Sequence, residues 1–299
     1  MGALDEREIE MSLPILEPES HRFAHDAMNT TFVLRLTGMS AEEARGMARE
    51  CCERLDELER KLSRFREESD VFRINHLCAG ETLYLSEESY ECLRLALEAH
   101  VGTGGLFDVT LGARIEHRKS GCGGTPPELA GKLTLHPDAP AITCEEPGRE
   151  IDLGGIGKGY ALDQLQALLT DWGAPGGLLA SGASTLLAFG EAEWPIELTG
   201  DRQSFPIGLR ARAVGASGTG VQGAHIVDPR DCGGEAADLT WKRAWVVAPT
   251  AAQADAWSTA VILMSQQELQ DFLTRDRVAR AVYAERDGAI ECFRAYHPG

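Results

Sequence analysis

Basic residues are in short supply. The 299-residue chain has 29 lysines and arginines against 47 aspartates and glutamates, a formal net charge of −18 with histidine neutral. Its long-range field repels polyanions, which argues against wrapping nucleic acid or docking on anionic membranes. An anionic ligand then needs a local device, such as a cation or a helix N-terminus. Long apolar runs are missing too, and no stretch is long enough to span a bilayer. Residues 1–20 carry six acidic residues and one arginine with no apolar segment, which reads as a polar leader and not as a signal peptide or anchor. Of the eight cysteines, Cys51 and Cys52 are adjacent and the others form no Cys-x-x-Cys pair. That spacing points to reduced thiols in the cytoplasm, and away from zinc or a disulfide framework.

What is present suffices for a large core. With 43% hydrophobic residues, the chain can fill one big domain or two closely joined lobes, and we expect a single domain over residues 21–299 after the leader. The richest stretch is Asp152-Leu153-Gly154-Gly155-Ile156-Gly157-Lys158-Gly159-Tyr160-Ala161-Leu162-Asp163. Residues 150–153 read as a short strand. From Tyr160 onward Ala161, Leu165, Leu168, Leu169 and Trp172 fall at helical spacing, with Gly173 suited to the left-handed residue after the helix. A glycine-rich turn opening a helix is a candidate anion site, because an oxyanion can approach the backbone, free N–H groups face it and Lys158 adds charge. The run fits neither Gly-x-x-x-x-Gly-Lys-Ser/Thr nor Gly-x-Gly-x-x-Gly. Taken alone it reads equally well as a tight turn serving strand-helix packing.

In chain order, the first strand is expected at 31–36, just after Met28-Asn29-Thr30. Ser40 and Glu43 form a capping box for a long amphipathic helix whose apolar stripe runs from Ala44 through Leu62 to Phe65. A second helix over 87–100 buries Tyr90, Leu93 and Leu97. Asp108 lies in a loop after two glycines, and 117–148 reads as an irregular excursion with a helical piece near 128–132 and a strand near 141–144. Short strands are expected at 177–181, 186–189, 195–198, 207–211, 214–217 and 241–248. His225 lies between the last two of these, and a histidine beside a strand is more often a satisfied core or surface residue than a catalyst. Thr250 and Gln253 form a capping box for a helix on which Asp255 and Thr259, four apart, share one face. They could offer hard oxygen ligands to Mg2+, or Asp255 could simply complement the helix dipole. Ser265 and Glu268 cap a further helix, and strands near 278–284 and 289–294 end the chain.

Together the pieces resemble one family, the ApbE-like flavin transferases, which move FMN from FAD onto a threonine or serine of another protein. The matching runs are Met28-Asn29-Thr30-Thr31-Phe32, Leu62-Ser63-Arg64-Phe65, Gly105-Leu106-Phe107-Asp108-Val109-Thr110, Asp152 through Asp163, Ala216-Ser217-Gly218, His225-Ile226-Val227-Asp228-Pro229 and Ala254-Asp255-Ala256-Trp257-Ser258-Thr259-Ala260. The resemblance implies an α+β fold related to the T-fold, with mostly antiparallel sheets flanked by helices and the ligand site between two lobes. It also implies Asp255, Thr259 and the backbone carbonyl of Gly157 as magnesium ligands, and His225 as the base that deprotonates the acceptor. Met28, Asp108, Gly154, Gly155, Lys158, Ser217 and Gly218 would line the FAD site. The sequence departs from the family where Ser181-Gly182-Ala183-Ser184 replaces the usual Gly-Gly-Asp, and where Val109 stands for a proline. Two other readings keep the same fold: a magnesium-dependent FAD pyrophosphatase with water as acceptor, and a non-catalytic flavin binder.

Overall fold

The computed structural model describes residues 17–120, 125–218, 226–230, 239–275, 279 and 281–294. Its scaffold is an eight-stranded, wholly antiparallel sheet. Two strands come first, β1 (His21–Ala27) and β2 (Thr30–Thr37). The N-terminal strand is thus a residue run that the sequence left within the approach to the first strand. Helices α1 (Ala41–Leu62) and α2 (Asp70–Asn75), strand β3 (Thr82–Tyr84) and helices α3 (Glu87–Gly102) and α4 (Gly112–Lys119) follow. Next come β4 (Lys132–Leu135), β5 (Ala141–Glu146), α5 (Gly157–Asp171), β6 (Gly176–Ser181), β7 (Thr185–Gly190), β8 (Trp194–Thr199), β9 (Ser204–Leu209), β10 (Arg212–Gly218) and β11 (Arg243–Ala248). The described chain closes with α6 (Ala251–Ile262), α7 (Gln266–Arg275), β12 (Ala281–Arg286) and β13 (Ala289–Arg294). The large sheet runs β1-β2-β6-β7-β10-β11-β12-β13, while β3-β5-β4 and β8-β9 form two smaller sheets.

Alternation along the strands explains the layers. Leu179, Leu187, Ala213, Ala244, Val246 and Val282 face the main core beneath α1, α5 and α6. Their neighbours Leu178, Ala188, Val214, Trp245 and Tyr283 face the other way, where the β8-β9 hairpin covers them with Trp194, Leu198 and Leu209. Helix α1 starts as expected, with Ser40 accepting from the Glu43 N–H and Glu43 accepting from the Ser40 N–H. Its buried stripe ends at Leu62, however, and Phe65 is 74% exposed beyond the helix. On α3 Leu93 is buried as expected but Leu97 is exposed, because Ser89, Cys92, Leu93, Ala96 and Ala99 form the inward stripe. The excursion at 117–148 is more ordered than its glycines and prolines suggest. Helix α4 takes its first residues, no helix forms near 128–132, and β4 and β5 pair over Leu133–Cys144, Thr134–Thr143 and Leu135–Ile142. Residues 150–153 make no strand, only a single parallel bridge from Glu150 to Leu111.

Helix α6 is buried almost all round, and its alanines let it lie close to both α5 and the sheet. A Cβ on Gly215 in β10 would come within 2.2 Å of the Ala254 carbonyl oxygen, and one on Gly159 in α5 within 2.3 Å of the Ala251 carbonyl oxygen. Neither helix backbone can give way easily. Gly215→Ala is therefore expected to destabilise the fold by about 1–3 kcal/mol, the usual cost of overpacking, and chemical denaturation would check it. Among the described residues no helix is long and apolar enough to cross a membrane, and the described cysteines are free thiols.

Candidate active site

The glycine-rich turn sits where α5 begins, and hydrogen bonds fix it. Asp152 Oδ1 accepts from the Gly154 N–H at 2.8 Å, and the Leu153 carbonyl accepts from Ile156 and Gly157. Lys158 Nζ donates back to the Gly154 carbonyl at 2.8 Å. The N–H groups of Gly154, Ile156, Gly157 and Gly159 are thus already engaged, so the turn offers an anion fewer free donors than its glycines suggest. This corrects the expectation of an open N–H cradle and leaves more of the attraction to Lys158 and to a cation. A Cβ at Gly157 would make only ordinary contact with Leu153, so no close approach requires glycine there. On Gly155 it would meet Phe107 at 3.0 Å and Thr259 Oγ1 at 3.4 Å, so this glycine lets the turn close onto α6.

Helix α6 brings the second half. Asp255, 3% exposed, accepts from the Gly159 N–H through Oδ2 at 3.2 Å. Burial pushes its carboxyl up from the ordinary value, while the Lys158 charge, the Gly159 N–H and the nearby Thr185 hydroxyl favour the ionised form. Thr259 stands one turn on, and its Oγ1 lies 3.2 Å from Ser217 Oγ at the end of β10. Ser217 Oγ is also 2.9 Å from Ser258 Oγ. Asp163 anchors the junction by accepting the Ala251 and Ala252 N–H groups at the start of α6, at 2.7 and 2.9 Å. Burial, reinforced by the charge of Asp255, pushes the Asp163 carboxyl up to about 6 against those two hydrogen bonds. The Thr250 cap is only half of the expected box: Thr250 Oγ1 accepts from the Gln253 N–H, but Gln253 Oε1 has no partner.

The other expected residues distribute around this junction. Met28 lies half-buried in the β1-β2 turn with φ +50°, beside the Ser181–Ser184 turn, where the Gly182 N–H reaches the Thr31 carbonyl at 2.9 Å. Register puts these turns and the Ser217-Gly218 end of β10 at one end of the large sheet. Asp108 borders the glycine turn, since the Asp152 N–H donates to the Val109 carbonyl at 2.7 Å. Its carboxylate is taken up by the Thr110 N–H and hydroxyl and by Arg149 at 3.5 Å, so it shapes the loop. Gly218 lies against Arg243. His225 falls outside the described residues. Next to it, the Ile226 carbonyl accepts from Arg118, and Asp228 is chelated by Arg230 through 2.7 and 2.9 Å contacts.

Three contributors escaped sequence reasoning. Arg64 spans the Asp152 carboxylate, the Glu150 carboxylate and the Gly112 carbonyl at 2.9, 2.9 and 3.1 Å, tying the glycine turn to the end of α1. Ser258, in the sequence no more than one member of the matched run, donates to the Asp255 backbone carbonyl at 2.9 Å. Thr185, buried beside Asp255, gave no signal beyond strand propensity. Removing Arg64 strands a mostly buried Asp152, so Arg64→Ala is expected to cost about 3 kcal/mol in urea unfolding. A loss under 1 kcal/mol would make the cluster an exposed-type pair.

Known proteins resemble the chain along most of its length. The ApbE family profile matches residues 28–283. A relative from Klebsiella pneumoniae named FAD:protein FMN transferase is 23% identical over 291 residues, covering 84% of this chain and 81% of its own. Among solved structures, a flavin transferase ApbE from Vibrio cholerae superposes with TM-score 0.78 at 18% identity, covering 93% of this chain and 97% of its own. An apbe protein from Thermotoga maritima does so with TM-score 0.78 at 23% identity and the same coverages. At these identities the two superpositions establish the mixed, mostly antiparallel α+β fold.

Proposed function

The chain belongs to the ApbE family, and on that premise we propose that it is an FAD:protein FMN transferase, moving FMN from FAD onto a Thr or Ser hydroxyl of an acceptor protein with release of AMP. The observation that carries the reading is the hydrogen bond from the Gly159 N–H to Asp255, which joins the lysine-bearing turn to the helix holding Asp255 and Thr259. Charge here is local and positive at Lys158, as a pyrophosphate bound to a strongly acidic chain requires.

Magnesium suits the donor set. Asp255 is a buried carboxylate with a single regular donor among the described residues; one turn on, the Thr259 hydroxyl donates to the Asp255 backbone carbonyl at 3.3 Å and lies 3.2 Å from Ser217 Oγ. A carboxylate, a hydroxyl and a backbone carbonyl are all hard oxygen donors, and such a small set suits an ion that also takes substrate phosphates. Asp255, Thr259 and the Gly157 carbonyl would hold it. When bound, Mg2+ neutralises pyrophosphate charge and stabilises the charge that develops on AMP.

The chain's own residues do the rest. Lys158 attracts the phosphates, Gly154 and Gly155 line their site, Met28 lies by the flavin, and Ser217, Gly218 and the Asp108 loop border the nucleotide. His225 takes the proton of the acceptor hydroxyl. The freed oxygen attacks the FMN-side phosphorus, the bond to the AMP phosphate oxygen breaks, and the products are a phosphoester-linked FMN and AMP. Chromatography of protein, FAD and Mg2+ with and without a Ser/Thr peptide tests this. AMP that appears only with the peptide is expected. AMP and free FMN without it would mean a pyrophosphatase, and FAD binding without AMP a non-catalytic binder.

A further inference from the structure

Thr185 opens β7 on the face that sends Leu187 and Phe189 into the main core. It is 1% exposed, and its hydroxyl makes no hydrogen bond of regular geometry. A buried polar group left so costs about 1–3 kcal/mol, and an apolar β-branched residue would fill the same place without that cost. Its surroundings are specific. Thr185 pairs with Ser181 in β6 and Gly215 in β10. A Cβ on Gly215 would meet the Ala254 carbonyl at 2.2 Å and the Asp255 N at 2.7 Å, so α6 crosses directly over this corner of the sheet. Thr185 and Gly215 are cross-strand partners on that face, so Thr185 lies under the turn of α6 that carries Asp255, whose regular donor, the Gly159 N–H, serves Oδ2.

We propose that Thr185 is a positioning residue of the cation site, its hydroxyl orienting the Asp255 carboxylate toward the bound metal. The inference rests on the reading of Asp255 as a magnesium ligand. A carboxylate held by one donor at 3.2 Å can rotate about its last bond, and an unpartnered hydroxyl on the facing strand would limit that rotation once the carboxylate turns toward a bound cation. Groups that orient metal ligands in this way are typically worth 10–100-fold in metal affinity.

Thr185→Val keeps the branched shape and removes only the hydroxyl, Thr185→Ala is a second hydroxyl-free variant, and Thr185→Ser puts the hydroxyl back. Magnesium is titrated into each protein without FAD, following melting temperature and heat of binding. The expected result is a metal-free melting temperature for Thr185→Val equal to or above wild type, with magnesium affinity about 10-fold weaker, and near-wild-type affinity for Thr185→Ser. Wild-type affinity in both hydroxyl-free variants overturns the inference, as does a lowered melting temperature with unchanged affinity, which is what a packing role would give. If wild type itself does not respond to magnesium, the reading of Asp255 falls first; if wild type responds and the variants respond equally, only the role of Thr185 falls.

Discussion

Asp255→Ala removes the response of AMP release to magnesium. The carboxylate is the charged donor among the three expected ligands, and Thr259 and a backbone carbonyl cannot by themselves displace the tightly held water of this ion. Burial makes the carboxylate an uncomfortable anion when alone, so the fold keeps an ionisable group where an apolar one would be more stable. The same argument predicts that Asp255→Ala holds or gains thermal stability without metal while losing turnover, a pattern expected of a site residue. Magnesium-dependent AMP release at the wild-type level in the variant would sink the metal assignment.

His225→Ala slows FMN transfer by roughly 10²–10⁴, the usual worth of a general base, and leaves FAD affinity within a few-fold. A neutral imidazole can accept the hydroxyl proton near pH 7, whereas on the proposed reading FAD affinity would rest on the glycine turn, Lys158 and contacts around the flavin. Titrating FAD into the variant and timing flavin attachment to a peptide separate the two effects. Collapsed affinity with unchanged transfer at saturating FAD would make His225 a binding residue.

Much of this was legible because local chemistry and fold agree. Ser40 with Glu43 and Ser265 with Glu268 name their helices outright, the short apolar runs of β6, β10 and β11 suit strands, and the four-residue spacing of Asp255 and Thr259 puts both at the junction with α5. The failures share a cause. Whether an N–H in the glycine turn is free depends on partners far away or just upstream, Asp255 for Gly159 and Asp152 for Gly154, and composition does not show them. Strand β4 is short and follows glycine and proline, so it exists only by pairing with β5. Strand β1 puts Arg22, Ala24 and Asp26 on its exposed face and sets His21 and His25 beside Phe23 on the other, which blurs its alternation. Thr185 looks like any threonine at a strand start until α6 is laid across Gly215.

The central claim is that the FMN half of FAD ends on a hydroxyl of another protein. Intact mass of a Ser/Thr acceptor peptide, measured with AMP after incubation with the protein, FAD and Mg2+, tests it most directly. The account predicts a peptide heavier by one FMN less one water and one AMP formed for each, with neither product when magnesium is chelated. An unmodified peptide beside stoichiometric AMP and free FMN would contradict it.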